Sequence, residues 1–165
     1  MDKIAIIGVG QTEFAGERKA DTFADLVHEA ATAALQDAGL DIGDIDNIVT
    51  TSNDFWDGRT ISSMAVGDAA GAAANGGKST STVEGDGTFG AFYGMTRILS
   101  GMYGNTLVVA HSKGSEGDDN LITGAFFDPI LQRPLGLDRV SAAALQARVF
   151  LDSAGLGVED CAKVV

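Results

Sequence analysis

The sequence is poor in cysteine and in long apolar runs, and each shortage excludes a class of protein. Its single cysteine, Cys161, cannot form an internal disulfide, which is typical of a reducing compartment. The longest apolar runs, such as residues 4–7 and 107–110, have the length of a β-strand and fall far short of the roughly 20 residues that cross a bilayer. Because the chain opens on a strand-like pattern, we expect no secretory signal and a cytoplasmic location.

Basic residues are also scarce. The chain has 11 lysines and arginines against 23 aspartates and glutamates, for a net charge of −12. Phosphate backbones are bound by clustered cations, so this balance argues against a nucleic-acid-binding protein. With 45% hydrophobic and 21% charged residues over 165 positions, the composition is that of one globular domain.

The amino-terminal segment offers one candidate motif. Residues 3–8 are predicted to form a buried strand, and the turn that follows, Gly8-x-Gly10-x-x-Glu13, is reminiscent of a dinucleotide fingerprint. The third glycine is absent, and a polar loop follows in place of the helix whose N-terminus would hold the phosphates. These departures argue against a nucleotide site here.

Further along, the pattern alternates between helices and strands. Thr22 and Asp25 form a capping box, apolar residues then recur at helical spacing, and Gly39 ends the helix in a left-handed cap. Cys161 is predicted to be a small buried residue on a short helix. Strands are predicted at 48–52, 78–84 and 106–112, further helices at 62–74, from the turn at 87 to Gly101 and at 141–154, and a loop-like excursion at 114–137.

The most informative stretch is the junction between the strand at 78–84 and the helix after it, Thr82-Val83-Glu84-Gly85-Asp86-Gly87-Thr88-Phe89-Gly90. A strand-to-helix turn of this kind holds its tip residue out of the sheet and points the free N–H groups of the helix at whatever lies there. Nucleophiles commonly occupy such a tip, but here the tip is Gly87. Asp86 is the expected cap of the helix.

These features resemble the thiolase superfamily, and in particular its lipid-transfer-protein (SCP-x) type. The resemblance spans nearly all of the chain and rests on short motifs in a shared order: Lys3-Ile4-Ala5-Ile6-Ile7-Gly8-Val9-Gly10-Gln11-Thr12-Glu13-Phe14, Asp37-Ala38-Gly39-Leu40, Asp44-Ile45-Asp46, Ile98-Leu99-Ser100-Gly101 and Leu107-Val108-Val109-Ala110. In that family the turn reads approximately Val-Glu-x-x-Cys-x-Ser-Gly. Val83, Glu84 and Gly90 match it, whereas the acyl-accepting cysteine falls on Gly87 and the serine on Phe89.

The resemblance implies an α/β fold in which a mixed sheet carries helices on both faces, in a βαβαβαββ order. It makes residues 1–165 a single domain similar to the first half of a thiolase, with residues 114–137 as the excursion that covers the substrate. A coenzyme A thioester is then the substrate, and this half holds no cofactor or metal. The implied partners are a C-terminal thiolase half or a second thiolase-like chain, an OB-fold zinc-ribbon protein, and a second copy in a dimer across residues 79–83.

Three functions stay open at this point. The first is a subunit that cleaves or forms a carbon–carbon bond in an acyl-CoA, by retro-aldol or Claisen-type chemistry, as an aldolase or acyltransferase of lipid metabolism without acyl-cysteine chemistry. The second is a non-catalytic subunit that supports an active partner, with the ring of Phe89 filling the vacated pocket. In the third, Asp86 or Glu84 acts as the nucleophile. The candidate pocket comprises Asp86, Gly87, Thr88, Phe89 and His111, although His111 is also explained as a structural histidine.

Overall fold

The structure is a computed structural model that describes residues 3–57 and 62–164 of the chain. It divides into two compact units, Met1–Gly117 and Asp118–Val165, which are described separately. The prediction of one domain over residues 1–165 is not tested by this division and stays a prediction.

Three parallel strands form the sheet of the first unit. These are β1 (Asn47–Ser52), β2 (Ser79–Glu84) and β3 (Thr106–Ala110), in the spatial order β2-β1-β3. In register, Asn47 lies opposite Ser79 on one side and Thr106 on the other. The protein is therefore an α/β protein with a small parallel sheet, and the carboxyl ends of all three strands meet at one edge.

Helix α1 (Phe23–Ala38) covers one face of this sheet. The predicted capping box is confirmed: the Thr22 hydroxyl accepts the Asp25 N–H at 3.2 Å, and the Asp25 carboxylate accepts the Thr22 N–H at 2.7 Å. Gly39 ends the helix with a φ of 66°, in the left-handed region that glycine tolerates best. The apolar side of α1 joins strand residues in the core, whose members are Phe23, Val27, Ala31, Ile45, Ile48, Val66, Ala70, Leu107 and Val109.

Helix α3 (Gly87–Leu99) covers the opposite face, and glycines bring it unusually close. A Cβ on Gly90 would lie 2.6 Å from Thr51 Cγ2, and one on Gly94 would lie 2.6 Å from Val108 Cγ2. Neither position leaves room for a side chain. Helices thus lie on both faces of the sheet, as the resemblance implied, but among the described residues the sheet is parallel and not the predicted mixed one.

Shorter helices complete both units. Helix α2 (Ser62–Ala65) is much shorter than the predicted helix at 62–74, because the chain passes into turns and Gly71 takes a φ of 92°. The second unit holds α4 (Asp119–Gly124), α5 (Arg139–Ala154) and α6 (Val158–Cys161). Helix α4 and short 3-10 turns make the segment 114–137 partly helical rather than the loop that was predicted. Cys161 is exposed, so its predicted burial is wrong.

The amino-terminal segment differs most from its prediction. Residues 3–8 form no strand, and Ile6 is 86% exposed. The segment instead lies along α1, where Gly8 approaches the Ala34 carbonyl so closely that a Cβ would lie 2.5 Å from it, and where the Val9 N–H donates to Asp37 Oδ2 at 2.9 Å. An open cleft of about 260 Å³ separates it from β3. The outer edge of β3 is unpaired among the described residues, but the cleft keeps the segment away from it, so this strand-forming sequence does not join the sheet.

Candidate functional site

The carboxyl ends of the three strands bring the candidate residues to one edge of the sheet. Backbone hydrogen bonds close this edge: the Gly85 N–H donates to the Ser52 carbonyl at 2.8 Å, and the His111 N–H donates to the Thr51 carbonyl at 3.1 Å. The chain leaves β2 and β3 in ordered turns. Carboxyl edges of parallel sheets are common ligand sites because the following loops meet there.

The turn between β2 and α3 is the centre of the site. Gly85 has a φ of 146°, and the Asp86 carboxylate caps the helix by accepting the Phe89 N–H at 3.0 Å. The Thr51 hydroxyl, fully buried on β1, lies 3.2 Å from the Gly85 carbonyl and 3.3 Å from that of Asp86. The turn is therefore fixed to the sheet.

The tip of this turn has no nucleophile but keeps hydrogen-bond donors. Helix α3 begins at Gly87, and the N–H groups of Gly87 and Thr88 have no acceptor within the described part of the chain. A Cβ on Gly87 would lie 3.3 Å from the Ala110 Cβ, so a small side chain fits after a shift of a few tenths of an ångström. The site can therefore bind an oxyanion through backbone donors, helped by the positive end of the helix dipole.

Phe89 lies beside Gly85 of the turn, but its side chain faces solvent. Its side chain is largely exposed, with 64% of its surface open to solvent in this chain, and a Cβ placed on Gly85 would lie 3.3 Å from the Phe89 Cβ. The expectation that its ring fills the vacated pocket stays a prediction. In this chain the ring is part of an outward-facing apolar side of α3.

His111 lies on the other face of the sheet from Gly87. Its ring packs edge-on against Phe23 of α1, with ring centroids 5.4 Å apart, and it is 9% exposed. Residues alternate between the faces of a strand, and Ala110 is the one that meets Gly87. The structure therefore does not bring the His111 side chain together with Asp86, Gly87 and Thr88, and it favours the structural explanation of this histidine.

A buried carboxylate at the same edge was missed by the sequence reasoning. Asp54 is 4% exposed; its Oδ1 accepts the Ser52 hydroxyl at 2.5 Å, and its N–H donates to Glu84 Oε1 at 3.0 Å. This hydrogen bond connects the Glu84 side chain to the loop after β1, so Glu84 has a structural role. The available signal was the position of Asp54, two residues after a strand end.

The loop after β3 is fastened to the start of α1. The Lys113 ammonium donates to the carbonyls of Arg18 and Asp21 at 3.0 and 2.8 Å and pairs with Glu116 at 3.0 Å. The Arg18 N–H bonds to the Glu116 carboxylate, and together with Lys113 it holds the pKa of Glu116 below its usual range. These contacts hold the loop in place with groups that do not reach the turn.

Comparison with solved structures gives a partial likeness. No protein-family model matches the chain. Among solved structures, the chain is similar to 3-oxoacyl-[acyl-carrier-protein] synthase III from Aquifex aeolicus VF5, with 21% sequence identity and a TM-score of 0.49. The match covers 59% of this chain and 32% of that one, so the chain spans about a third of the synthase. Among the described residues, no helix has the length and hydropathy that a bilayer crossing requires.

Proposed function

We propose that this chain is a thiolase-like subunit of an enzyme that breaks or forms a carbon–carbon bond in an acyl-CoA thioester. In this proposal it works with a partner chain and uses no acyl-cysteine intermediate. The observation that carries the proposal is the turn itself: Asp86 caps α3, Thr51 fixes the turn to the sheet, and the N–H groups of Gly87 and Thr88 are left open.

The chemistry follows from those two donors. In a retro-aldol cleavage, a base removes the proton of the β-hydroxyl group, the Cα–Cβ bond breaks, and its electron pair passes to the thioester as an enolate. A carbonyl compound leaves, and protonation of the enolate gives the shorter acyl-CoA. The N–H groups of Gly87 and Thr88 would stabilise the enolate oxygen, a contribution that typically amounts to about 3 kcal/mol per donor.

The base has to come from a partner. In the first turn of α3 the only ionisable side chain is Asp86, and its carboxylate is engaged as the helix cap. The outward side of α3 is apolar, since Phe89, Phe92 and Leu99 are each more than half exposed. A C-terminal thiolase half or a second thiolase-like chain would cover this side and supply the base. An OB-fold zinc-ribbon companion and a dimer across residues 79–83 belong to the same proposal.

A second candidate is a non-catalytic subunit that supports an active thiolase-like partner. The same apolar side of α3 favours it, because a supporting subunit needs a surface to be covered but no reactive group. The two candidates differ in what the turn must do. Only the catalytic one needs the space in front of Gly87 and Thr88.

The test uses the purified complex of this chain with its partner. A β-hydroxyacyl-CoA and a β-ketoacyl-CoA are supplied in turn, and the carbonyl product and the shorter acyl-CoA are measured. We expect turnover of the hydroxyacyl substrate without any acyl mass added to this chain. Gly87→Val fills the space in front of the donors and should lower kcat/KM at least tenfold, about 1.4 kcal/mol or more.

Gly16→Val is the matched control, because a Cβ at Gly16 meets nothing within 4 Å. It should leave turnover unchanged. If Gly87→Val also leaves turnover unchanged while the complex still assembles, the supporting role is correct and the catalytic one is wrong. Absence of turnover on every acyl-CoA in an assembled wild-type complex would give the same answer.

A further inference from the structure

A second polar cluster lies at the opposite edge of the sheet, where the strands begin. Arg97, in the last turn of α3, reaches down to this edge, and its Nη2 lies 2.9 Å from Ser79 Oγ, 2.7 Å from Tyr103 Oη and 3.4 Å from Asn47 Oδ1. Its guanidinium carbon stands 4.4 Å over the Tyr103 ring. Asn47 is completely buried, so the guanidinium is held in a defined position.

The charge of Arg97 has no carboxylate partner among residues 3–57 and 62–164. Its hydrogen-bond acceptors are all neutral, and its Nε is buried without a partner. Arg18, Arg139 and Arg148 each form an ion pair, whereas Arg133 donates only to the carbonyls of Phe127 and Ala125. Half-buried guanidinium groups are normally paired with carboxylates, and that of Arg97 is held without such a pair in a chain with 23 acidic residues.

The cluster borders a free strand edge. Ser79 is the first residue of β2, and β2 is an outer strand of the sheet. Its six residues contain no proline and no lysine, the residues that usually protect an edge from pairing with another chain. The exposed carboxylate of Asp86, which forms no ion pair within the described residues, lies just beyond the other end of β2.

The Arg97 end and the Asp86 end of β2 carry opposite charges, so a two-fold axis through the middle of the strand would bring them together. If β2 pairs with β2 of a second copy in antiparallel fashion, residues that face each other must point to the same side of the joint sheet. In a symmetric dimer this requires that one residue of β2 lies on the two-fold axis, directly opposite the same residue of the other copy. Ser81 and Thr82 are two such central residues. Either register sets the Ser79 end of one copy against the Val83–Gly85 end of the other, twice in the dimer.

We infer that Arg97 of one copy binds the Asp86 carboxylate of a second copy. The inference rests on the β2-edge dimer proposed above and adds the residue pair that fixes it. In this dimer, the Arg97 guanidinium of one copy lies beside the turn between β2 and α3 of the other copy. Each candidate site then contains a residue from both copies. The positive charge would offset the negative charge of Asp86, which by itself disfavours an oxyanion at the turn.

Charge reversal tests this pair in the isolated chain, without any acyl-CoA, so its result is independent of the turnover assay. Arg97→Glu and Asp86→Lys each create two like-charge contacts in a dimer of identical chains and should weaken self-association at least a hundredfold. Mixed in equal amounts, the two variants recover both attractive contacts and should form a one-to-one heterodimer with an affinity within tenfold of the wild type. Sedimentation velocity measures the association state. A fluorophore on one of the two variants distinguishes the heterodimer from the homodimers.

Arg148→Glu is the matched control, because it reverses a charge of the same size in the second unit and should leave the dimer intact. A wild-type chain that stays monomeric at 100 µM (on the order of 10⁵-fold weaker than a nanomolar dimer) would overturn the inference. So would an Arg97→Glu chain that dimerises like the wild type, or a mixture that forms no heterodimer.

A cysteine scan keeps the inference testable if a reversal variant fails to fold. In a Cys161→Ser background, Ser81→Cys or Thr82→Cys should form a disulfide-linked dimer under mild oxidation, because one of them lies on the axis. Adding Arg97→Gln should slow this cross-linking at least tenfold. Failure of both cysteines to cross-link, or cross-linking that is indifferent to Arg97→Gln, would contradict the inference.

Discussion

The two faces of the sheet pack against their helices in different ways. On the α1 face, large apolar side chains from the helix and the strands fill a closed core, and Ile48 and Val27 are almost completely buried. On the α3 face, glycines bring the helix backbone close to the strands and the large side chains of the helix point outward. The first face stabilises the unit by itself, whereas the second positions a turn and leaves a surface for a partner.

The largest expected effect on stability tests this difference between the two faces. Ile48→Ala removes a fully buried side chain from the α1 face and should lower the free energy of unfolding by about 3 kcal/mol. Phe92→Ala removes a larger side chain from the exposed side of α3 and should change it by less than about 0.5 kcal/mol. Urea denaturation of the isolated chain measures both, and equal losses would contradict the difference between the faces.

A second prediction concerns the close contact of α3. Gly90→Ala places a methyl group 2.6 Å from the Thr51 Cγ2, and Thr51 is fully buried and cannot move aside. We expect a loss of about 2 kcal/mol in the free energy of unfolding, although alanine is the better helix former. The control is Gly16→Ala, which has open space around it and should be neutral. An equally neutral Gly90→Ala would show that α3 packs less closely than described.

The smallest expected effect lies in the pH dependence of the α1 cap. Hydrogen bonds from the Thr22 hydroxyl and N–H hold the pKa of Asp25 below its usual range. A carboxyl with a lowered pKa in the folded state stabilises the protein above its unfolded pKa, near about 4, and this contribution is lost as the pH falls through the folded pKa. Thr22→Ala should move the pKa of Asp25 back up and make this acid-induced loss smaller.

Carbon-13 NMR titration of the Asp25 carboxyl measures this shift directly. Asp46 is the internal control, because its pKa is lowered by the N–H groups of Asn105 and Gly104, which Thr22→Ala does not touch. A pKa of Asp25 that is unchanged in Thr22→Ala, or one that moves together with that of Asp46, would show that the cap is not its cause.

Local signals predicted much of this fold. The capping box at Thr22, the left-handed glycine at Gly39 and the strand before Gly85 depend on neighbours in sequence, and all three are confirmed. Signals that depend on distant partners failed. Residues 3–8 read as a strand but lie along α1 and do not pair with the outer edge of β3, and the exposure of Cys161 is set by packing that its own segment does not encode.

The candidate site divides in the same way. The sequence located the turn at Gly87 and the cap at Asp86, since both follow from a strand, a glycine and a helix in succession. It grouped His111 with them because strand ends meet at one edge, but the alternation of side chains along β3 sends the ring to the α1 face. It missed Asp54, whose burial comes from contacts with Ser52 and Glu84.

The most direct test of the central claim follows the amide signals of Gly87 and Thr88 by NMR in the assembled complex, while acetyl-CoA is added. If the turn binds a thioester oxygen through its backbone, both amide protons shift downfield with a saturating dependence on acetyl-CoA, and the intact mass of the chain stays unchanged. The proposal is wrong if the signals of Gly87 and Thr88 do not respond while acetyl-CoA binds elsewhere in the complex. It is also wrong if an acetyl mass is added to this chain.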